Sequence, residues 1–486
     1  MRSVFMEGTG RRRRMRPLLA PGRRRGGLTL RASSRRRRLL SVLGAAHRRR
    51  PWRLAGLGAA LLLAGFGAAY LIWWTEPENV SNPNVEFTET APQQEPEEEP
   101  ETFKWPVYGY NPARTRYLDS PIDPPFEKLW NYKSGSLIEF QPVLANGTLY
   151  VVPNSGTATA IDAKTGKVKW KTEVGTLAAS SPAWDKGKLF ITTLSGRITC
   201  LDADTGKRVW KRNLPSRSES SPVVIDNRVY FGTEDGTVYS LRAKDGSEVW
   251  RYTAGGAVKA ALAYEGGKLY FGDYSGNMTA VRARDGSRVW NAATSGRSFQ
   301  QSGRFYSTPT VAYGRVYAGN TDGFVYSFAR TTGKLAWRYQ TGNYVYSAAA
   351  AGPGPGDEPT VFIGSYDSNF YAFDARTGAV RWKYPASGRI SGAPSLIGRV
   401  VYFSTLDGSN TKGIDARTGR KLFERDTGKF NPMISDGKRM YMTGFSTIYT
   451  MVPPRYDRPQ DEAKRRRLRK EREQKQREQK EQAKEK

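Results

Sequence analysis

Few residues in this 486-residue chain have side chains that commonly do chemistry. It contains one histidine, His47, and one cysteine, Cys200. A single histidine in an arginine-rich arm excludes Ser-His-Asp catalysis and histidine-ligated zinc or haem in the folded part. A single cysteine excludes an internal disulfide, and Cys200 is interpreted as a small buried hydrophobe. Two glutamates, Glu139 and Glu219, could pair as the carboxylates of a hydrolase, but the sequence does not fix their separation.

These glutamates occupy a position that recurs three residues ahead of a proline, or its aligned equivalent, before the first strand of each repeat. The residue at this position differs from one repeat to the next, although packing does not require it to differ. We therefore interpret these residues as a polar mouth at one end of the array. The longest loop of this end adds two arginines and is the best single position for a binding loop. An ordinary solvated rim is the alternative. The recurring position holds Glu139, Ala179, Glu219, Lys259, Tyr306, Tyr346, Ser391 and Lys429, and the partner-binding prediction names Glu139, Glu219, Lys259, Arg297, Arg304, Tyr306, Tyr346 and Lys429.

A repeat with a period near 40 residues sets these positions. Tryptophan occurs at 130, 170, 210, 250, 290, 337 and 382, and Phe423 takes the next place. The unit 221–251 shows the pattern: four short apolar segments are separated by turn-forming residues at 226–227, 234–236 and 244–246. This pattern predicts four antiparallel strands per unit. Four strands in a period of this length are typical of propeller blades.

The third turn of each unit carries the strongest motif. In the first unit it includes Asp162, Thr165, Gly166 and Trp170. Glycine supplies the positive φ of a tight turn, aspartate bonds the turn amides, and tryptophan offers a flat surface to the adjacent blade. The pattern A-x-D-x-x-T-G-K-x-x-W resembles the docking motif of the pyrroloquinoline quinone (PQQ) repeat family, over roughly 110–452. The resemblance implies structural docking roles for Trp130, Trp170, Trp210, Trp250, Trp290, Trp337, Trp382 and Phe423.

Seven units are complete, and an eighth, running from about 431 to 451, lacks its last strand. The segment 127–132, which contains Trp130, precedes the first complete unit and supplies that strand. An N-terminal strand in the last blade closes the ring and removes open sheet edges. We therefore predict an all-β, eight-bladed propeller of four-stranded antiparallel blades at 105–454, preceded by one transmembrane helix.

The segments outside the repeats differ sharply in composition. Residues 1–53 hold 18 arginines and one acid, which predicts a disordered cytoplasmic arm. The uncharged run 54–74 is long enough to span a bilayer, and the positive-inside rule places the later residues outside the cytoplasm. A cleaved signal peptide is the alternative, disfavoured because no A-x-A site follows. The composition of residues 75–104 predicts a disordered acidic linker. The composition of residues 455–486 predicts a charged tail that is disordered or helical.

PQQ repeats occur in two kinds of protein. The resemblance implies adjacent cysteines, a calcium-binding set and a catalytic aspartate for quinoprotein dehydrogenases, and this chain has no adjacent cysteines. The other kind is similar to the outer-membrane assembly lipoprotein of the β-barrel assembly machinery, a non-catalytic scaffold, although this chain has no lipobox cysteine. We therefore predict a single-pass cell-membrane protein with an extracytoplasmic, non-catalytic binding propeller, and no cofactor, metal or catalytic residues.

The net charge of +31 bears on the partners. The propeller region is itself basic, so the predicted partner is an extracytoplasmic protein or an anionic cell-wall polymer. The arginine clusters of the arm suit anionic lipids, whereas nucleic acid is disfavoured because few aromatic residues lie among the arginines. Two alternatives stay open: a quinone-dependent or other small-molecule enzyme at the mouth, and a sensor or substrate-capture ectodomain.

Overall fold

The computed structural model describes Gly65 and residues 79–90, 102–294, 303–430 and 433–456. The chain divides into two compact units, Met1–Trp74 and Thr75–Lys486, and every strand in the described residues belongs to the second. The predicted arm, nearly all of the predicted span at 54–74, most of the charged tail and Arg297 lie outside the described residues. Within those residues, no helix combines the length and the apolar character that crossing a bilayer requires.

Four strands precede the repeats. They are β1 (Val80–Ser81), β2 (Lys104–Trp105), β3 (Tyr117–Leu118) and β4 (Glu127–Lys133). The strands that follow pair in order into the sheets that we number as blades 1 to 8 around the ring.

Blades 1 to 4 each hold four consecutive strands. Blade 1 contains β5 (Val143–Ala145), β6 (Thr148–Val151), β7 (Thr157–Asp162) and β8 (Val168–Glu173); blade 2 contains β9 (Ala183–Asp185), β10 (Lys188–Thr193), β11 (Arg197–Asp202) and β12 (Arg208–Asn213); blade 3 contains β13 (Val223–Ile225), β14 (Arg228–Gly232), β15 (Thr237–Arg242) and β16 (Glu248–Thr253); blade 4 contains β17 (Ala263–Glu265), β18 (Lys268–Gly272), β19 (Asn277–Arg282) and β20 (Arg288–Ala293).

Blades 5 to 8 follow the same order. Blade 5 contains β21 (Thr310–Ala312), β22 (Arg315–Gly319), β23 (Phe324–Ala329) and β24 (Leu335–Gln340); blade 6 contains β25 (Ala350–Pro353), β26 (Pro359–Gly364), β27 (Asn369–Asp374) and β28 (Val380–Pro385), with a 3-10 turn at Pro355–Asp357; blade 7 contains β29 (Ser395–Ile397), β30 (Val400–Ser404), β31 (Thr411–Asp415) and β32 (Lys421–Arg425); blade 8 contains β33 (Met433–Ser435), β34 (Met440–Thr443) and β35 (Thr447–Val452).

The sequence explains the form of each blade. In blade 3 the second and third strands are almost wholly buried, whereas the fourth is only partly covered, as expected for the outer edge of a ring. At the third turn, Gly246 adopts a φ of 72°, and Asp245 accepts the backbone N–H of Ser247 at 2.9 Å. A residue without Cβ and a carboxylate that bonds the turn amide together fix this tight hairpin.

The ring closes as predicted, because β4 is the outer strand of blade 8. It pairs antiparallel with β35, with Trp130 opposite Thr450. The described residues therefore form eight four-stranded blades, three of which gain one further short strand. This confirms the eight-bladed all-β fold and its closure by an N-terminal strand.

Each docking tryptophan bonds to the following blade. Trp170 donates its indole N–H to the carbonyl of Ala203 at 2.9 Å, and a Cβ placed on Gly206 would lie 2.6 Å from the indole. The same contact is made by Trp130, Trp210, Trp250, Trp290, Trp337 and Trp382. Phe423 instead packs edge-on against Phe126, which directly precedes β4, because blade 8 has no third turn. The seven tryptophans thus contact the following blade, and the docking role of the full set, including Phe423, stays a prediction.

The acidic linker is not wholly a spacer. Residues 79–90, expected to be disordered, lie along blade 5, where β1 pairs with β24. The Phe87 ring stacks 6.0 Å from that of Tyr313, and the Arg315 guanidinium donates to the carbonyls of Val85 and Glu86. We call residues 79–90 the strap. Sequence composition missed it because a single aromatic residue and a buried arginine hold it in place.

A second segment, residues 103–120, fills the inner edge of the ring, and we call it the plug. Its β2 pairs with β5 of blade 1, and its β3 runs parallel to β29 of blade 7. Between these strands its carbonyls accept backbone N–H groups from blades 2, 4, 5 and 6: Pro106 from Trp184, Pro112 from Tyr264, Ala113 from Val311 and Thr115 from Ala351. The first strands of most blades are thereby joined to one continuous segment, and the central channel is closed by the protein itself.

Candidate functional site

The two ends of the ring have different loops. The loops between blades and the second turn within each blade lie at one end, which is the predicted mouth. The first and third turns lie at the other end, which we call the docking face. The plug pairs with the first strands next to their first turns, for instance where Gly398 donates to the carbonyl of Leu118 at 2.9 Å. It therefore closes the channel from the docking face and leaves the mouth as a surface above it.

An ionic cluster forms the centre of the mouth. The Lys259 ammonium lies 3.0 Å from a carboxylate oxygen of Glu219 and 3.1 Å from one of Glu234. The Tyr306 hydroxyl donates to the other Glu219 oxygen at 3.2 Å. Three residues of the predicted rim, Glu219, Lys259 and Tyr306, are thus in direct contact although they belong to three different loops.

Burial and neighbouring charges have opposite effects on the pKa values of Glu219 and Lys259 in this cluster. Burial raises the pKa of Glu219, and Lys259 offsets only part of that rise. For Lys259, burial alone would lower the pKa, but the two glutamates outweigh it and raise the pKa. Burial also raises the pKa of Tyr306 well above its usual value. The ammonium and the phenol therefore stay protonated at neutral pH.

Tyrosines continue the mouth surface from this centre towards blade 6. The Tyr346 ring lies edge-on to Tyr306, with centroids 5.6 Å apart, and is 4.8 Å from Tyr366. Tyr344 lies 6.0 Å from Tyr346 and is half exposed. On the other side of Tyr306, the Tyr274 ring lies at 6.4 Å. We call Tyr274, Tyr306, Tyr344, Tyr346 and Tyr366 the tyrosine arc.

Cations flank the tyrosine arc. The Arg304 guanidinium lies 5.5 Å from the Tyr274 ring, and that of Arg389 lies 5.5 Å from the Tyr366 ring. Both arginines are exposed. Rigid aromatic rings beside arginines are the composition that is enriched in protein-binding surfaces, since such rings give large contact area with little loss of side-chain freedom.

The remaining predicted residues lie at the same end but are less closely joined. Glu139 accepts a bond from Asn154 at 3.4 Å, and burial raises the pKa of its carboxyl. The Lys429 ammonium lies 5.8 Å from the exposed Phe445 ring. The like charge of Glu219 adds to the rise in the Glu139 pKa. Cys200 is fully buried, and burial raises the pKa of its thiol to about 12, in agreement with a packing role.

Sequence reasoning missed the partners that the second turns supply. Glu234, Tyr274 and Tyr366 are on second turns, whereas the predicted set came only from the loops between blades. The available signal was topological: in a four-stranded blade, the second turn returns to the same end as the loop that precedes the blade.

The net charge of the mouth loops is negative, whereas that of the propeller as a whole is positive. By sequence, the loops of the mouth contain nine carboxylates and six basic side chains. The excess positive charge therefore belongs to the rest of the propeller, including exposed side chains of outer strands such as Lys169, Lys171 and Lys211. A polyanion would be attracted to the outer edge rather than to the mouth.

The described residues of the mouth do not offer the ligands that a PQQ–calcium site requires. In the described part of the chain, no group of three or more His, Cys, Asp or Glu side chains could hold a metal ion. Glu219 and Glu234 already bond to Lys259. Below them, Tyr108 of the plug packs with Phe140, 5.8 Å away, in the channel. The residues present therefore do not fit this cofactor.

The docking face has a groove of about 700 Å³ between the plug and blades 6 to 8. Its charged side chains already have partners: Arg417 lies 2.6 Å from Asp357, and Arg399 lies 2.8 Å from Asp123. These charges of the groove are therefore neutralised by ion pairs within the protein.

Solved structures share this fold at low sequence identity. BamB from Moraxella catarrhalis is 20% identical with a TM-score of 0.57, and the match covers 68% of this chain and all (100%) of that one. A europium-containing methanol dehydrogenase is 16% identical with a TM-score of 0.61, covering 74% and 99%. A quinohemoprotein alcohol dehydrogenase from Comamonas testosteroni is 17% identical with a TM-score of 0.59, covering 72% and 80%.

The family comparison is more specific than the shared fold. No curated protein gives a significant match. The profile of the family described as outer membrane protein assembly factor BamB matches four overlapping segments, 123–186, 173–323, 298–350 and 321–450. These segments span all eight blades and confirm the resemblance to PQQ-like repeats. The chain therefore belongs to the outer membrane protein assembly factor BamB family.

Proposed function

We propose that this protein is a membrane-tethered, extracytoplasmic propeller that binds a partner protein at its mouth and does no catalysis. The observation that carries the proposal is the tyrosine arc, which is flanked by arginines and lies over a channel that the plug closes from the other side. A surface of this kind suits the broad contact of a protein partner better than the deep enclosure of a small molecule.

The partner at the mouth is a protein rather than an anionic polymer. The mouth has more carboxylates than basic groups, so a polyanion would meet net repulsion there. An anionic cell-wall polymer suits the basic outer strands instead. Its binding would weaken with salt, because exposed charges are screened over about 8 Å at physiological ionic strength.

The membrane tether is proposed from the uncharged run at 54–74. The arginine-rich residues 1–53 place the N-terminus in the cytoplasm by the positive-inside rule, and anionic lipids are their partner. The propeller then lies outside the cytoplasm, where a protein-binding scaffold of this family is expected.

Affinity capture with the full-length chain in detergent tests the proposal. The double variant Tyr344→Ala/Tyr346→Ala removes the exposed half of the tyrosine arc, and Val209→Ala removes a similarly exposed side chain (47%) from the outer strand of blade 2. We expect the double variant to lose a specific partner that wild type and Val209→Ala retain. Equal capture by all three proteins would contradict the mouth as the binding surface.

A second experiment tests the alternative that the protein is a quinone-dependent enzyme. The protein is incubated with PQQ and calcium, and absorbance and the oxidation of alcohols or sugars are recorded. We expect neither a stable quinone spectrum nor turnover, and quinone-dependent turnover would overturn the non-catalytic proposal.

A further inference from the structure

We propose that the plug binds a small monovalent anion, of which chloride is the simplest, at the Nε/Nη2 edge of Arg116. The site is separate from the mouth and belongs to the sealed part of the channel. Four arginines of the described propeller are almost or fully buried: Arg114, Arg116, Arg315 and Arg439. They differ in how each guanidinium is hydrogen-bonded and neutralised.

The Nε and Nη2 atoms form one side of a guanidinium group. In three of the four arginines, hydrogen-bond acceptors lie at both of these atoms or at Nε alone. Arg315 gives both atoms to backbone carbonyls of the strap. Arg114 gives Nε to Leu262 at 2.8 Å, and Nη2 approaches the carbonyls of Ser221 and Pro222. Arg439 bonds through Nε to the Asp436 carboxylate at 2.7 Å.

Arg116 is different. Its Nη1 is fully used, donating to the carbonyls of Arg114 at 2.7 Å and Ala349 at 3.2 Å and to the Thr310 hydroxyl at 3.1 Å. Its Nε and Nη2 find no acceptor among the described residues. These two N–H groups point in parallel from one side of the guanidinium, which is the geometry that receives an anion in a bidentate manner.

The charge around Arg116 is also unbalanced. Within the described residues neither Arg114 nor Arg116 forms an ion pair, and both are 0% exposed. Burial lowers the pKa of both arginines, and the neighbouring charge of Arg116 lowers that of Arg114 further, to about 9. The Tyr108 ring lies 4.8 Å from the Arg116 guanidinium, and Tyr108 offsets part of the lowering of the Arg116 pKa through electrostatic attraction and a side-chain hydrogen bond, but burial still outweighs it. A buried cation without a counter-charge is strongly unfavourable, so an anion at this edge would stabilise the plug.

The backbone at Gly109 lies close against the Arg116 guanidinium. Gly109 has a φ of +81°, and a Cβ there would lie 3.2 Å from Cζ of Arg116. A side chain at this position would crowd the guanidinium. A small ion fits this description better than a large one, since the surrounding residues are buried and the channel is closed.

Anion-dependent stability of the full-length chain tests the proposal. Thermal unfolding is followed as chloride replaces methanesulfonate at constant ionic strength, for wild type, Arg116→Met and Arg315→Met. Above the dissociation constant, a tenfold increase in chloride should raise the folding constant of wild type about tenfold. Arg116→Met should show no such dependence. Arg315→Met should keep it, because that arginine already has protein acceptors. The same chloride dependence in Arg116→Met as in wild type would overturn the proposal.

A measurement on the wild-type protein covers the case in which Arg116→Met does not fold. Crystals of the full-length chain refolded in bromide are examined for anomalous scattering. A peak within hydrogen-bond distance of both Nε and Nη2 of Arg116 supports the site. A water molecule, or no peak, at that position would reject it.

Discussion

Trp130 donates its indole N–H to the carbonyl oxygen of Ala163, 3.1 Å away and 33 residues later in the chain. Trp130 belongs to the outer strand of the last blade and Ala163 to the third turn of the first. The contact that elsewhere joins successive blades therefore also joins the two ends of the repeat array. Closure uses the same residue types as propagation, which is why a sequence period can predict a ring.

The first prediction concerns that closing contact. Trp130→Ala removes a buried indole and its hydrogen bond, and we expect a loss of about 3–5 kcal/mol in the free energy of unfolding. Trp130→Phe keeps most of the apolar area and should lose less. Denaturant unfolding measures both, with Val209→Ala as the exposed control. A Trp130→Ala protein as stable as that control would contradict a closed ring.

The docking glycines give a matched pair within blade 2. Gly206 has a φ of +70°, and a Cβ there would lie 2.6 Å from the Trp170 indole; Gly187 has a φ of +75° and no atom within 4 Å of such a Cβ. Alanine strains the backbone at both positions, but only at 206 does it displace the indole. We expect Gly206→Ala to destabilise the protein by about 1–3 kcal/mol more than Gly187→Ala. Equal losses would show that the indole contact is loose.

The ionic cluster at the mouth predicts a pH-dependent mutant. Lys259→Met leaves Glu219 and Glu234 without their cation, and we expect a loss of about 2 kcal/mol at neutral pH. Burial already raises the pKa of Glu219, and removal of the ammonium raises it further. The loss should therefore shrink as the pH falls and the carboxyl gains a proton. Unfolding at pH 7 and pH 4.5 measures this, with the exposed Lys171→Met as control. A loss independent of pH would contradict the role of the cluster.

Glu139 gives a prediction of opposite sign. Burial raises the pKa of its carboxyl above the unfolded value, so its ionised form opposes folding. The stability associated with this carboxyl is present below about pH 4.3, the usual pKa of Glu, and is lost as the pH rises through the folded pKa. Glu139→Gln should therefore be more stable than wild type at pH 7 and equal to it at low pH. Exposed Glu358 provides the control substitution, Glu358→Gln, which should have no effect at either pH.

The strap predicts a local effect. Phe87 lies between the Tyr313 ring and the Arg376 guanidinium, at 6.0 Å and 4.8 Å. Phe87→Ala should release β1 from β24, so that amide hydrogen exchange rises at Val80–Ser81 and at Asn82, whose N–H bonds to the Ala336 carbonyl. The exposed Phe445→Ala should leave this exchange unchanged. Unaltered protection in Phe87→Ala would mean that the backbone pairing alone holds the strap.

The features predicted correctly from sequence are those that repeat. Trp170, Gly206 and their equivalents recur at a nearly constant interval, and the same local contact, made seven times, joins successive blades into the ring. The position of Glu219, Lys259 and Tyr306 at one end follows from the same period. Their role in binding a partner stays a prediction.

The features that sequence analysis missed occur once and depend on distant contacts. The strap is held by Arg315, whose partner Val85 is 230 residues away. The plug is held by Arg114, which reaches Leu262, 148 residues away. The repeat period does not predict contacts of this kind. A partial signal was present, since residues 105–117 carry four aromatic side chains and two arginines, a composition unusual for a linker.

Site-specific photo-crosslinking in cells tests most directly whether a partner protein binds at the mouth. A photoreactive residue replaces Tyr344 at the mouth, 50% exposed, or Val209 on the outer edge of blade 2, 47% exposed. The two positions match in exposure and differ in surface. A protein adduct that forms from position 344, is absent from position 209 and disappears when Tyr346→Ala is added is the predicted result. An adduct from position 209 alone, or from neither position, would contradict the mouth as the partner-binding surface.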